Sequence, residues 1–147
     1  MTKIFLDTNV LVSVLNKEYP IFTYSSRIVS LAAHTNFEVY TSPLCLAIAF
    51  YFAEKKQNAE MAKQKINLLC KHLKVAENSI HGVHHTLQNK AIHDFEDGLE
   101  FYAAKESNCN YIITEDTEDF YFSTIEVMNC KQFFNQILLK EQSAIIK

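Results

Sequence analysis

Glycine and proline occur only twice each in 147 residues, which leaves little room for long irregular loops or flexible linkers. No stretch approaches the 18 consecutive apolar residues of a membrane-spanning helix. The N-terminus opens directly on a strand-like run, without the basic region and apolar core of a secretion signal. Cys45, Cys70, Cys109 and Cys130 are scattered and form no CxxC pair, which argues against a disulfide framework or a structural zinc site. Buried, reduced thiols in a cytoplasmic protein are the expectation. Among the six histidines only His81, His84 and His85 cluster, and they read as one face of a surface helix. Also absent are a glycine-rich phosphate loop, a dinucleotide fingerprint and an Asp-x-Asp pair after the first strand. These absences weigh against a phosphotransfer protein using Asp7 as nucleophile or phosphoacceptor.

What is present fits one domain over residues 1–147, with 48% hydrophobic and 21% charged residues typical of a globular chain. The net charge of −3 is unevenly spread. Residues 1–60 balance, residues 61–92 carry +4, and residues 93–147 carry −7. A chain with so acidic an end binds polyanions poorly unless a cation intervenes.

Apolar runs at 3–7, 37–41, 73–76, 111–114 and 125–128 read as strands, the third short and edge-like. Between them, helical spacing marks a segment after Thr8 or Asn9, then 21–36, 44–54, 58–73, 79–89, 94–107 and 131–140. Ser42-Pro43 announces the third of these as N-cap and first helical residue. That helix is apolar nearly all round, which predicts deep burial. In 94–107 the stripe Phe95, Leu99, Tyr102 and Ala103 is expected to face the sheet. Strands alternating with helices imply an α/β fold, a mostly parallel sheet of four to five strands with helices on both faces. Ligands in such sheets sit beyond the C-terminal strand ends, where strand order reverses. If strands one and four flank that reversal, Asp7 and Asp116 meet across most of the sequence.

Acidic groups concentrate at those strand ends: Asp7, then Asp94-Phe95-Glu96-Asp97, then Glu115-Asp116-Thr117-Glu118-Asp119. Converging carboxylates repel one another, and a hard, oxygen-preferring ion such as Mg²⁺ or Mn²⁺ relieves that repulsion. Such an ion also activates water for attack on phosphorus. Blander roles remain open. Asp7 and Asp94 can cap helices, with Asp97 closing a capping box on Asp94, while Glu100, Glu115 and Glu118 read as solvated.

The order of these segments resembles the PIN-domain ribonucleases, as in VapC-type toxins. Ile4-Phe5-Leu6-Asp7-Thr8-Asn9-Val10 looks like the opening motif. Glu96-Asp97-Gly98-Leu99-Glu100-Phe101-Tyr102-Ala103-Ala104 resembles the third, in the branch that carries Asp-Phe-Glu-Asp before its helix. Tyr111-Ile112-Ile113-Thr114-Glu115-Asp116-Thr117-Glu118-Asp119-Phe120 resembles the fourth. The resemblance implies a three-layer α/β/α sandwich and metal-dependent RNA cleavage at Asp7, Asp97 and Asp116. Those three residues and nearby Asp119 would hold Mg²⁺ or Mn²⁺. Asn9, Thr114 and Asp94 would support them, a small antitoxin protein would be a partner, and the chain would form a homodimer. One departure stands out: the family usually places an acid, commonly Glu, where Ile48 stands. A PIN-like module that binds RNA or protein without cutting is therefore the alternative. Lys63 and Lys65 are candidates for an RNA-binding rim.

Overall fold

The computed structural model describes residues 1–140. Its centre is β1 (Thr2–Leu6), whose Ile4, Phe5 and Leu6 are wholly buried. A strand apolar on both faces needs cover on both sides, which only a sheet flanked by helices provides. β2 (Phe37–Thr41), β3 (Lys74–Val75), β4 (Tyr111–Ile113) and β5 (Glu126–Met128) complete it. The order is β3-β2-β1-β4-β5 and every neighbouring pair is parallel. β3 is the short edge strand foreseen in the sequence, bound to β2 through Tyr40↔Lys74 and Thr41↔Val75. The order reverses at β1, which pairs with β4 through Ile4↔Tyr111 and Leu6↔Ile113. That pairing delivers residues 7 and 114–116 to one place.

The flanking helices are α1 (Thr8–Leu15), α2 (Ile21–Ser30), α3 (Pro43–Lys56), α4 (Ala59–His72), α5 (Ile80–Gln88), α6 (Phe95–Glu106) and α7 (Cys130–Phe133). α1 packs on α2 and α3, α3 on α4, and α5 on α6. α2 stops at Ser30 and gives way to a 3₁₀ turn, Leu31–Ala33, so the segment expected to be helical to residue 36 ends earlier. α7 runs on into a π-helical turn at Phe134–Leu138. No helix among the described residues is long and apolar enough to cross a membrane.

Two sequence expectations about helix faces are overturned. α3 begins as foreseen, with the Ser42 side chain accepting from Cys45 N and Pro43 in the first turn. It is not deeply buried, however. Only Cys45, Ala49 and Ala53 are enclosed, at the i, i+4, i+8 spacing of one narrow stripe, while Tyr51 and Phe52 are exposed. In α6 the enclosed residues are Gly98, Glu100, Phe101, Ala103 and Ala104, and Phe95 is exposed. The bulkiest side chain misdirects the reading of the phase; the small residues mark where α6 approaches its neighbours. At Gly98 a Cβ would lie 2.3 Å from Thr86 Cγ2, so α5 and α6 touch at a point only glycine permits.

Candidate metal centre

Asp7 follows β1, and its backbone N still donates to Ile113 O at 3.0 Å. The side chain turns back to accept from Thr8 N at 2.7 Å, so Asp7, rather than Thr8 or Asn9, is the N-cap of α1. It is 6% exposed, and the positive end of α1 offsets part of the cost of enclosing its charge. One residue past β4, the buried Thr114 donates from Oγ1 to Asp7 Oδ2 at 2.7 Å and accepts from Asp116 N at 3.1 Å. Asn9 ties the two strand ends together. Its Nδ2 lies 3.1 Å from Thr114 Oγ1, 3.1 Å from Asp116 Oδ2 and 3.4 Å from Asp7 Oδ2. Its Oδ1 accepts from Glu115 N at 3.1 Å. Asp7 and Asp116 thus face each other across one amide nitrogen.

The third side of the site is α6. Asp94 is its N-cap, accepting from Asp97 N at 3.0 Å, so its role here is structural. Asp97, half-buried, has its carboxyl pushed up to about 7 by burial first, then by the charges of Asp94, Asp7, Asp119 and Glu96. Asp119 is exposed within a 3₁₀ turn, Thr117–Phe120, where its N donates to Asp116 O at 3.0 Å.

Glu100 departs most from the sequence reading. Expected in solvent, it is only 2% exposed. Thr8 Oγ1 donates weakly to Oε1 at 3.5 Å, and Oε2 has no hydrogen-bond partner. Burial first, and Asp7 beside it second, push this carboxyl far above the usual range. Cys45 is fully enclosed, and burial followed by Asp7 raises its thiol as well. Among the described residues, Asp7, Cys45 and Glu100 form a set whose donor atoms all lie within 4.8 Å of one another. Asp97 and Asp116 are not part of that tight set but share the cleft above it. The signal for Glu100 was available: Ala103 and Ala104, three and four residues on, share its face of α6 and are buried with it.

The cleft has a volume of about 440 Å³ and is lined by Asp7, Thr8, Asn9, Glu18, Glu96, Asp97, Glu100, Glu115 and Asp116 on its polar side. Val12, Ile21, Ile48 and Phe52 form the apolar side. Ile48 therefore does face the cleft, and no acid stands there. Among the described residues, no lysine or arginine lines it. Lys65 donates from Nζ to Leu15 O at 2.7 Å and Lys56 to Asn16 O at 2.8 Å, so both satisfy carbonyls at the C-terminal end of α1. Lys63 is exposed on α4. Glu115, also expected in solvent, is half-buried and accepts from Cys130 N at 2.9 Å; Glu118 is exposed as expected. Among the described residues, the three clustered histidines have no carboxylate or thiol arranged around them as ligands, and His85 instead stacks on Tyr102.

An oxygen-rich cleft with one orphaned buried carboxylate oxygen and one carboxyl raised to about 7 is a donor set that suits a divalent cation. The solved and curated proteins that resemble this chain agree with the fold. Ribonuclease VapC1 of Aquifex aeolicus (strain VF5) is 24% identical over 135 residues, covering 89% of this chain and 92% of that protein. The structure of VapBC2 from Rickettsia felis bound to a promoter DNA fragment matches with a TM-score of 0.66 and 21% identity, over 87% of this chain and 98% of that one. Mycobacterium tuberculosis VapC20, described as a toxin that cleaves the sarcin-ricin loop, matches with a TM-score of 0.66 and 15% identity, over 84% and 98%. Residues 3–118 match the PIN domain family model. With acids delivered by β1, α6 and the turn after β4 of a sheet ordered β3-β2-β1-β4-β5, the chain belongs to the PIN domain family.

Proposed function

We propose that this chain is a divalent-metal-dependent endoribonuclease, the toxin of a toxin–antitoxin pair, acting in the cytoplasm as a homodimer. The observation that carries the reading is the hydrogen-bonded unit Asp7–Thr114–Asn9–Asp116, with Asp97 of α6 on the same cleft. The relatives support the chemistry and the partner: one is named a ribonuclease, one is described as a sarcin-ricin-loop-cleaving toxin, and one is a VapBC2 assembly.

Asp7, Asp97 and Asp116 would hold Mg²⁺ or Mn²⁺, with Asp119 close by. Bound there, the ion would supply an activated water for hydrolysis of an RNA phosphodiester. Asn9 and Thr114 fix the carboxylate orientations, since each oxygen they bond is no longer free to rotate. A bound cation would also soften the repulsion between an acidic cleft and the RNA backbone. Asp94 acts at one remove, by anchoring the turn from which Asp97 projects. Free thiols suit a reducing compartment. The exposed apolar side chains of α3, Tyr51 and Phe52, offer a surface for a second copy or for an antitoxin.

The experiment is cleavage of a defined RNA with Mn²⁺. Activity should vanish with EDTA and with Asp7→Asn. Ile48 in the cleft favours one second reading, a PIN module that binds RNA or protein without cutting. Metal-independent RNA binding with no cleavage of any RNA pool would support that reading and sink the first.

A further inference from the structure

We propose that Asp7, Cys45 and Glu100 form a thiolate–carboxylate site at the floor of the cleft, taking a borderline divalent cation such as Zn²⁺ or Co²⁺ in preference to Mg²⁺. The inference rests on the divalent-metal reading of the cleft and places beneath it a deeper three-ligand set that shares Asp7 but not Asp97 or Asp116. Three separate elements converge here: the residue after β1, the first turn of α3 and the middle of α6. Their donor atoms lie within 4.8 Å of one another. Tetrahedral ligand bonds of about 2.0–2.3 Å bring donor atoms to about 3.3–3.8 Å of one another, so the set draws in around one ion. Asp7 and Glu100 line the cleft, so an ion can enter from solvent, while Cys45 closes the site from behind.

An independent observation points to a cation. Oε2 of Glu100 is enclosed and has no hydrogen-bond donor, on a side chain only 2% exposed. A buried polar atom left unpaired is costly, and a metal ion satisfies it. The sequence adds a reason. α3 carries Ile48 in the cleft, with no ligating atom, and Cys45 lies three residues earlier, about one turn along the same helix. The helix that lacks an oxygen ligand at 48 therefore supplies sulfur at 45. Sulfur changes the metal selected, because thiolates favour Zn²⁺ and Co²⁺ over the hard Mg²⁺ ion. Three protein ligands leave a fourth position for water. On binding, the S–H bond of Cys45 breaks, a sulfur–metal bond forms, and the proton passes to solvent, as does that of a protonated Glu100. No electron transfer is involved.

The test is titration of the full chain with CoCl₂ and with CdCl₂, read as thiolate-to-metal charge-transfer absorption. The band should saturate at a single equivalent, persist in Cys70→Ala, which removes the exposed thiol, and disappear in Cys45→Ser. Glu100→Gln should weaken binding by about tenfold or more. Zn²⁺ should displace Co²⁺, whereas a roughly hundredfold excess of Mg²⁺ should not. No band in the wild type, or a band that survives Cys45→Ser, overturns the proposal. Should Cys45→Ser fail to fold, X-ray absorption at the zinc edge of the wild type decides: sulfur in the ion's shell supports the site, a shell of only oxygen refutes it. Mn²⁺ binding by calorimetry without any thiolate band removes this site and keeps the divalent reading. A thiolate band without RNA cleavage by any metal form keeps this site and removes the nuclease.

Discussion

Replacing Gly98 by alanine sets two opposed effects against each other. Inside a helix, Gly→Ala ordinarily stabilises by about 1 kcal/mol, through the unfolded chain's lost freedom. Here the added Cβ would lie 2.3 Å from Thr86 Cγ2, 2.9 Å from Ile92 Cγ2 and 3.0 Å from Thr86 Oγ1. Thr86 cannot simply turn away, since it is 4% exposed and its hydroxyl donates to Gly82 O at 2.7 Å. Overpacking of this kind costs about 1–3 kcal/mol, and so severe an overlap belongs at the upper end. The net effect should be a loss of about 1–2 kcal/mol. Urea unfolding should show a lower midpoint with an unchanged slope. Thr86→Ser, which removes the nearest methyl, should restore most of the loss in the double variant, a coupling that contact residues show. Because α6 carries Asp97 and Glu100, Gly98→Ala alone should also weaken Mn²⁺ binding. A Gly98→Ala protein as stable as the wild type, or one that Thr86→Ser leaves unrescued, would refute the close α5–α6 approach.

Thr114→Val keeps the side-chain shape but removes the 2.7 Å bond to Asp7 and the acceptor of Asp116 N. Calorimetry should show Mn²⁺ affinity lower by about 10–100-fold, and unchanged affinity would mean Thr114 orients nothing. Lys65→Met should cost about 1 kcal/mol by freeing the Leu15 carbonyl at the end of α1. Lys63→Glu should leave stability unchanged while lowering RNA affinity and flattening its salt dependence; an unaltered salt slope would remove α4 from RNA binding. Tyr40, half-buried and donating to Glu38 Oε2 at 2.8 Å, has its phenol pushed up from 10.0 to about 12. The folded state thus holds the phenolic proton more tightly than the unfolded chain. Its contribution to stability is full below pH 10 and is lost as pH rises toward about 12. Phenolate absorption should therefore appear late on alkaline titration and earlier, though not at the ordinary value, in Glu38→Gln, because burial is the larger cause.

The parallel sheet was legible because β1 and β4 are short apolar runs that each end in a carboxylate-bearing turn and strands alternate with helices. The neighbouring of β1 and β4 stood only as a condition until the strand order was seen. The Asp7–Asp116 meeting depended on that topology alone. The cap at Asp94 was legible from local spacing. Glu100 is buried against the apolar phase that Phe95 and Leu99 suggest, because its face is marked by Ala103 and Ala104, residues with little apolar weight. α3 failed for a related reason: an all-apolar helix does not say which third of its surface the neighbours cover, and only the Cys45, Ala49 and Ala53 stripe is taken. The two lysines of α1's C-terminal end show the same limit, since a basic residue reads alike whether it meets a carbonyl or solvent.

Anomalous diffraction from crystals equilibrated with Mn²⁺ bears on the central claim most directly. A peak in the cleft at about 2.0–2.3 Å from carboxylate oxygens of Asp7 and of Asp97 or Asp116 is the predicted result. A cleft without a peak at saturating Mn²⁺, or a peak only on surface acids such as Glu118, would contradict it.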